Sequence, residues 1–156
     1  MTIISYKRPI PKLKFIYGIG LFFIGILSID TYFGVLFLGA GVFFFYTDGI
    51  EIDLTTKKYR NTINLFGFTF GKWKDFPEIE YVSVFKTTQT TRVWVSTAST
   101  NVTTTVVKIN LFYNTNQKIE AYETDNTDTA FDIANQIATA LQIDVLDATS
   151  RDTKWL

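Results

Sequence analysis

The sequence predicts an α+β membrane protein, in which a two-helix transmembrane hairpin precedes a seven-stranded antiparallel bent barrel capped by a C-terminal amphipathic helix. Three observations lead to this prediction. Residues 15–47 contain one charged side chain, Asp30. From Asp48 onward the chain becomes polar and Thr-rich, and apolar residues alternate with polar ones as in half-buried strands. Between residues 130 and 141 the apolar residues instead recur every three or four positions, as on one face of a helix.

The hairpin prediction depends on two apolar segments without charge, Phe15–Ile29 with 15 residues and Thr31–Thr47 with 17. A membrane-spanning helix needs about 20 apolar residues, with about 17 as the lower limit. Lys12 and Lys14 can extend the first segment, because their apolar stems reach along it while their amines stay in the interface. A turn at Asp30 keeps this carboxylate out of the hydrocarbon, where it would cost about 2.5–3.5 kcal/mol.

Two alternatives are disfavoured. A buried helical pair of a soluble protein would need a polar face, which Phe22, Phe33 and their apolar neighbours do not leave. A cleaved signal peptide would end after one short apolar core, whereas here a second apolar segment of similar length follows.

Flanking charge predicts the orientation of the hairpin. The first 14 residues carry four basic side chains and no acidic one, and such segments stay on the cytoplasmic side. Two crossings then return the chain, so we expect both the N-terminus and the C-terminal domain to be cytoplasmic.

Glycines mark one face of each predicted helix. Gly18 and Gly25 are seven residues apart, as are Gly34 and Gly41. Small residues let helix backbones approach closely. We expect these four to pack the two helices on each other; the alternative is that they dock another membrane protein.

We divide the chain into a basic N-terminus and hairpin at 1–47, a folded domain at 48–144 and a tail at 145–156. In the domain, strands are expected over about 49–123 and a helix over about 127–142, capped by Asn126 or Thr127. The predicted strands are Ile50–Leu54, Tyr59–Phe66, Phe68–Trp73, Ile79–Phe85, Arg92–Ser96, Val106–Tyr113 and Lys118–Glu123.

Composition narrows the chemistry. The chain has no Cys and no His, which excludes disulfides, thiolate or histidine metal sites and the Ser-His-Asp triad. Lys plus Arg total 15 and Asp plus Glu total 15, and nothing indicates the strongly basic face that nucleic-acid binding requires. We therefore expect no catalytic residues, no metal, no cofactor and no enzymatic activity.

Seven antiparallel strands followed by one amphipathic helix is the order of a pleckstrin-homology-like (PH-like) domain. Several short motifs resemble small membrane-anchored PH-like proteins of Bacteroidota-type bacteria: Gly49-Ile50-Glu51-Ile52-Asp53, Lys58-Tyr59-Arg60, Phe66-Gly67, Gly71-Lys72-Trp73, Leu146-Asp147-Ala148-Thr149 and Trp155. The resemblance covers nearly the whole chain and implies a bacterial inner-membrane localisation. It implies no activity, because its motifs are structural.

Two groups of residues are candidates for contacts. Lys57, Lys58 and Arg60 follow the first predicted strand and resemble the basic signature with which PH domains bind anionic lipid or phosphate; the alternative is a solvated turn. Trp94 beside Arg92 is a candidate protein interface, since exposed aromatics beside Arg are enriched there, although it can also fold over the sheet edge. Trp155 either folds back on the domain or docks on a partner.

We therefore expect a non-catalytic, membrane-anchored accessory or scaffold subunit whose PH-like domain mediates protein–protein contact in a membrane complex. The expected partners are membrane lipids and another membrane protein or a homo-oligomer, without nucleic acid. The alternative function is a membrane-tethered module that senses lipid or a small ligand.

Overall fold

The structure is a computed structural model that describes residues 2–95 and 98–156, with side chains described outside 91–102. Its helices are α1 (Lys12–Leu27), α2 (Tyr32–Phe44) and α3 (Thr127–Leu141). Its strands are β1 (Ile3–Lys7), β2 (Thr47–Asp53), β3 (Lys58–Leu65), β4 (Phe68–Phe70), β5 (Lys74–Asp75), β6 (Ile79–Val95), β7 (Ala98–Tyr113), β8 (Gln117–Thr124), β9 (Asp144–Ala148) and β10 (Lys154–Trp155).

The strands form two sheets. In the first sheet the order is β1-β2-β3-β4, and β5 pairs with β3. In the second sheet the order is β10-β9-β6-β7-β8. Strands β6, β7 and β8 form an antiparallel meander, whereas β9 lies parallel to β6.

The chain divides into two compact units. The core unit comprises Ile50–Tyr59, Trp73–Leu156 and the described residues before Lys7. Its hydrophobic core forms where the inward side chains of β6, β7 and β8 meet those of α3. The fully buried large side chains are Ile52, Val82, Val84, Val107, Ile109, Leu111 and Ile137.

Helix α3 corresponds to the helix predicted over about 127–142. Asn126 caps it, because its side-chain Oδ1 accepts hydrogen bonds from the backbone N–H groups of Asp128 and Thr129 at 2.8 and 3.2 Å. The helix ends at Gln142, which adopts the left-handed conformation with φ of 60°. Its small buried residues, among them Ala130 and Ala134, allow the helix to lie close to the sheet.

The hairpin unit comprises Lys7–Gly49 and Arg60–Lys72. It contains α1, α2 and the turn between β3 and β4. Thr31 caps α2 by accepting a hydrogen bond from the N–H of Gly34 at 3.1 Å. Asp30 lies in the turn between the two helices, where the sequence predicted the bend.

The prediction of a transmembrane hairpin is wrong. Within the described residues, no helix combines the length and the apolar character that a membrane crossing requires. Helix α1 has 16 residues and α2 has 13, which at 1.5 Å per residue gives about 24 and 20 Å, against a hydrocarbon thickness of about 30 Å. Helix α2 is shorter than its apolar segment of 17 residues, because β2 already begins at Thr47. Helix α1, which Pro11 precedes, has 16 residues and ends at Leu27.

This correction extends to the predictions that depended on the hairpin. The description as a membrane protein with transmembrane helices is corrected, and the predicted inner-membrane localisation with both termini cytoplasmic is not supported.

The predicted seven-stranded antiparallel barrel is also wrong. The described residues contain ten strands in two sheets, and one pairing is parallel. The predicted strand at Ile79–Phe85 and residues 92–95 of the one predicted at Arg92–Ser96 belong to one continuous strand, β6, which pairs with β7 along a long two-stranded ribbon. Ser96 lies outside the described residues. Strand β1 was missed because its few residues lie in a segment interpreted as a basic flank.

Candidate functional site

The helical hairpin exposes an unusual amount of apolar surface. Ten large apolar side chains on α1 and five on α2 are exposed, and Phe33 is 70% exposed. We call this set, with Ile29 from the turn, the hairpin surface; its members are Leu13, Phe15, Ile16, Tyr17, Ile19, Phe22, Phe23, Ile24, Ile26, Leu27, Ile29, Tyr32, Phe33, Val35, Leu36 and Phe43. These residues occur around both helices, so neither helix has the polar face that is typical of water-exposed helices.

The four glycines predicted for helix packing all lie between α1 and α2. Gly18, Gly25, Gly34 and Gly41 are the buried residues of the two helices. A Cβ at Gly25 would lie 2.7 Å from the backbone nitrogen of Leu38, and one at Gly41 would lie 2.9 Å from that of Phe22. Because such distances are shorter than real Cβ contacts, these positions exclude a side chain.

Two further helical glycines have no such role within the chain. A Cβ added at Gly20 or Gly39 would meet no atom within 4 Å. Glycine in a helix interior costs about 1 kcal/mol relative to Ala. The packing of this chain therefore does not explain why these positions carry glycine.

Charges occur at the two ends of the hairpin. At the base, Lys14 Nζ donates to the carbonyl of Tyr46 at 2.8 Å and lies 6.0 Å from the ring centre of Phe43. Lys12 at the start of α1 and Asp30 in the turn are exposed. Among the described residues neither Lys12 nor Asp30 has an ion-pair partner. Positive charge without an ion-pair partner thus lies at the base, and negative charge without one lies at the tip.

A cavity of about 390 Å³ lies within the hairpin unit. Its lining residues are Lys7, Ile10, Phe15, Phe45, Thr47, Asn64, Phe66 and Gly67. The aromatic wall is ordered by ring contacts: Phe15 and Phe45 lie edge to face with centroids 5.6 Å apart, and Phe45 and Phe66 lie 5.2 Å apart. This volume lies within the range of about 300–1,000 Å³ typical of small-molecule sites. We call it the hairpin cavity.

The two-residue turn between β3 and β4 holds Phe66 against this wall. Leu65 pairs with Phe68, so Phe66 and Gly67 form the loop, and both have positive φ, 48° and 87°. This pattern matches a type I′ turn, in which Asn, Asp or Gly normally occupies the first position. A Phe in the left-handed conformation costs about 1–2 kcal/mol. Backbone strain of this kind is often retained where the side chain has a role.

The polar part of the lining carries one cation and one amide. Lys7 is exposed and has no ion-pair partner among the described residues. Asn64 is buried, and its Oδ1 accepts from the Thr69 hydroxyl at 2.8 Å while its Nδ2 donates to the Thr62 hydroxyl at 3.3 Å. One of the two Nδ2 hydrogens therefore remains available. Among the described residues that line the cavity, none is acidic.

A second cavity, of about 570 Å³, lies in the core unit. It is lined by neutral residues without aromatic rings: Thr2, Leu54, Thr55, Asn135, Gln136, Thr139 and Ala140. This composition provides no charge and no stacking surface with which to select a ligand.

The basic residues predicted to contact lipid or phosphate do not line either cavity. Lys57 lies in the turn after β2 with φ of 54° and is exposed. Lys58 forms an ion pair with Asp75 at 3.3 Å. Arg60 is partly buried in β3 and also has an interaction partner. Two of the three candidate cations are thus already engaged within the chain.

The turn that carries Lys57 is built by Asp53. Its carboxylate accepts hydrogen bonds from the Thr56 hydroxyl at 2.8 Å and from the N–H of Thr55 at 2.9 Å. The hydroxyl of Thr56, followed by backbone donors, lowers the pKa of Asp53 below its ordinary value of 3.8, although partial desolvation opposes this shift. This carboxylate therefore stabilises a turn. Among the residues that the structure describes, no group of three or more acidic side chains is arranged to hold a metal ion.

The predicted protein-interface residues fall in different places. The side chains of Arg92 and Trp94 lie outside the described part of the structure. Trp155 lies in β10, which pairs with β9, and its ring contacts that of Tyr81 edge to face at 5.4 Å. The tail therefore folds back on the core unit, although Trp155 stays 61% exposed.

The residues of the hairpin cavity were not identified from the sequence. Lys7, Phe15 and Asn64 are far apart along the chain, and only the fold brings them together. The Phe66-Gly67 dipeptide was the one local signal, because it interrupts an alternating segment as turns do.

Comparison of the chain with protein-family models, with curated proteins and with solved structures gives no match. The resemblance to Bacteroidota-type PH-like proteins therefore stays a prediction.

Proposed function

We propose that this chain is a non-catalytic scaffold subunit that assembles by protein–protein contact, and that the partner of its hairpin surface is the hairpin surface of a second copy. The observation that carries the proposal is the apolar hairpin surface on α1 and α2. Relative to the sequence-based expectation, the contact element is the hairpin instead of the PH-like domain, and no membrane anchor is assumed.

The area of the hairpin surface favours a macromolecular partner. Aromatic side chains bury about 150–250 Å² each and aliphatic ones less, so half exposure of the ten residues on α1, summed around the helix, leaves on the order of 700 Å² on that helix alone. The largest apolar patch on a typical monomer is about 300–600 Å². A stable interface needs about 800 Å² per partner, which α1 and α2 together can provide.

The glycines without neighbours favour a helical partner. Gly20 and Gly39 leave open space on the outer sides of α1 and α2. Contact with solvent does not require a glycine, whereas a second helix can approach the backbone of α1 or α2 closely only where the side chain is small. The helix propensity lost at these positions is thus offset by contact in the assembly.

Charge favours a second copy in antiparallel orientation. Helix α1 is about 24 Å long, with Lys12 at its first residue and Asp30 three residues after its end. A two-fold axis across the hairpin would bring Lys12 of each copy to Asp30 of the other. Parallel pairing would place like charges together at both ends. An exposed ion pair contributes only about 0–1 kcal/mol, so these charges select orientation while apolar burial supplies most of the affinity.

Cysteine cross-linking tests this arrangement on a clean background, because the chain has no Cys. The variants are Lys12→Cys, Asp30→Cys and the double variant, oxidised with copper phenanthroline in freshly lysed expressing cells. We expect covalent dimers from the double variant and from a mixture of the two single variants, with at least tenfold less from either single variant alone. Asp125→Cys, at an exposed position of the core unit, reports random collisions.

Three outcomes would overturn the proposal. Strong cross-linking of Lys12→Cys alone would indicate parallel pairing. Yields equal to that of Asp125→Cys would indicate no specific contact. Absence of dimer together with co-flotation of the chain with phosphatidylglycerol vesicles would identify lipid, instead of a second copy, as the partner of the hairpin surface.

A further inference from the structure

We propose that the hairpin cavity binds a free acyl carboxylate of medium chain length. This inference goes beyond the proposed assembly function and does not depend on it, because all residues of the cavity lining except Phe15 lie outside the hairpin surface. The inference depends on three groups that the cavity brings together: an aromatic wall, a lysine without an ion-pair partner, and a buried amide with one N–H still available.

The apolar part of the lining favours a flexible hydrocarbon chain. Ile10, Phe15, Phe45 and Phe66 provide apolar walls. The rings are tilted or perpendicular to each other, with 90° between Phe15 and Phe45 and 36° between Phe45 and Phe66. They do not form the parallel pair that would sandwich a planar ring. A group of the size of water occupies about 30 Å³, so 390 Å³ accommodates a chain of roughly ten carbon atoms.

The polar part of the lining favours an anionic head. Lys7 is the only charged residue of the lining, and it has no ion-pair partner among the residues that the structure describes. The free Nδ2 hydrogen of Asn64 adds a neutral donor, whose orientation is fixed because Oδ1 accepts from Thr69. A carboxylate accepts hydrogen bonds from both kinds of donor. An alcohol would leave the lysine without a countercharge, and an amine would be repelled.

The strained turn supplies an independent reason to assign a role to this cavity. Phe66 keeps a left-handed backbone that Asn or Gly would adopt at lower cost, and its side chain forms part of the cavity wall. Its ring contact with Phe45 adds a stabilisation beyond area burial that is only comparable to the backbone strain. The aromatic ring at this position is therefore better explained by a ligand than by stability.

Titration calorimetry with sodium decanoate, below its critical micelle concentration, tests the proposal on the full chain. We expect one decanoate per chain, with at least tenfold weaker binding of decan-1-ol and of decylammonium. Lys7→Gln should weaken decanoate binding about tenfold, because it removes the cation, and Phe66→Ala should weaken it to a similar degree. Lys72→Gln, the same change at an exposed lysine of the hairpin unit that does not line the cavity, should leave the affinity within twofold.

Each alternative outcome contradicts the proposal in a distinct way. Equal binding of decanoate and decan-1-ol, unaffected by Lys7→Gln, would show that no anion is recognised. No saturable binding by the wild-type chain would show that the cavity is not a ligand site. Equal losses in Lys7→Gln and Lys72→Gln would indicate general electrostatic attraction. Circular dichroism of each variant separates loss of the site from loss of the fold.

Discussion

The close packing of α1 on α2 predicts opposite effects for the same substitution at two glycines of α2. At Gly34 an added Cβ would overlap the backbone carbonyl of Ser28, whereas at Gly39 it would meet no atom within 4 Å. We therefore compare Gly34→Ala with Gly39→Ala in the monomeric chain, in mild detergent at high dilution. Both variants add one methyl group to the same helix, so their difference reports the local contacts of each glycine.

The magnitudes follow from the local contacts. Gly39→Ala should stabilise α2 by about 1 kcal/mol, the difference in helix propensity. Gly34→Ala forces a backbone shift, which costs about 1–3 kcal/mol in a packed interior. It also disturbs the cap, because the Gly34 N–H donates to Thr31 Oγ1 at 3.1 Å, and loss of a cap costs about 1 kcal/mol. After the gain in propensity, we expect a net loss of about 2 kcal/mol.

Hydrogen–deuterium exchange with mass spectrometry measures both changes locally, because the protection of α2 amides reports the free energy of local opening. We expect about fivefold greater protection for Gly39→Ala and about thirtyfold less for Gly34→Ala, while peptides from α3 stay unchanged. Equal effects of the two substitutions, or greater protection in Gly34→Ala, would refute the described contact between the two helices.

Three further predictions concern local contacts. Asn126→Ala removes the cap of α3 and should lower the free energy of unfolding in urea by about 1 kcal/mol, whereas Asn126→Asp keeps an acceptor and should cost less; equal losses would contradict the capping geometry. Asp53→Asn should reduce the loss of stability in acid. The lowered pKa of Asp53 contributes stability that is present above its unfolded pKa near 3.8 and is lost as pH falls through the folded pKa. Unfolding curves between pH 5 and 2 that do not differ from the wild type would contradict this role of Asp53. Phe66→Asn relieves strain of about 1–2 kcal/mol and loses a ring contact of similar size, so the melting temperature should change little while decanoate binding falls; a loss of stability above 2 kcal/mol would instead assign Phe66 a structural role.

Local signals in the sequence indicated two features at the ends of helices. The turn at Asp30 and the cap at Asn126 both correspond to observed helix boundaries. These features depend on residues within one or two turns of each other, so a single sequence contains the information. The membrane-spanning prediction failed because an apolar segment does not reveal how much of it is helical. Residues 45–47 lie beyond the end of α2, and Thr47 already belongs to β2.

Features that depend on distant residues could not be predicted. Strand β9 pairs in parallel with β6, a register set by residues more than 60 positions apart. The hairpin cavity likewise combines Lys7 from β1 with Asn64 from β3. Neither contact leaves a periodic pattern in the sequence. The sequence shows that the residues of the hairpin surface are apolar. It does not show that this fold leaves their side chains exposed.

Substitutions that swap the charges of Lys12 at the base and Asp30 at the tip of the hairpin test most directly whether two hairpin surfaces pair. Sedimentation velocity in mild detergent would measure the dimer fraction of the wild-type chain, of Lys12→Asp, of Asp30→Lys and of the double variant. If two hairpin surfaces pair in antiparallel orientation, each single variant places like charges together and lowers the dimer fraction, and the double variant restores it. A monomeric wild-type chain, or a double variant whose dimer fraction does not exceed that of the two single variants, would contradict antiparallel pairing of two hairpin surfaces.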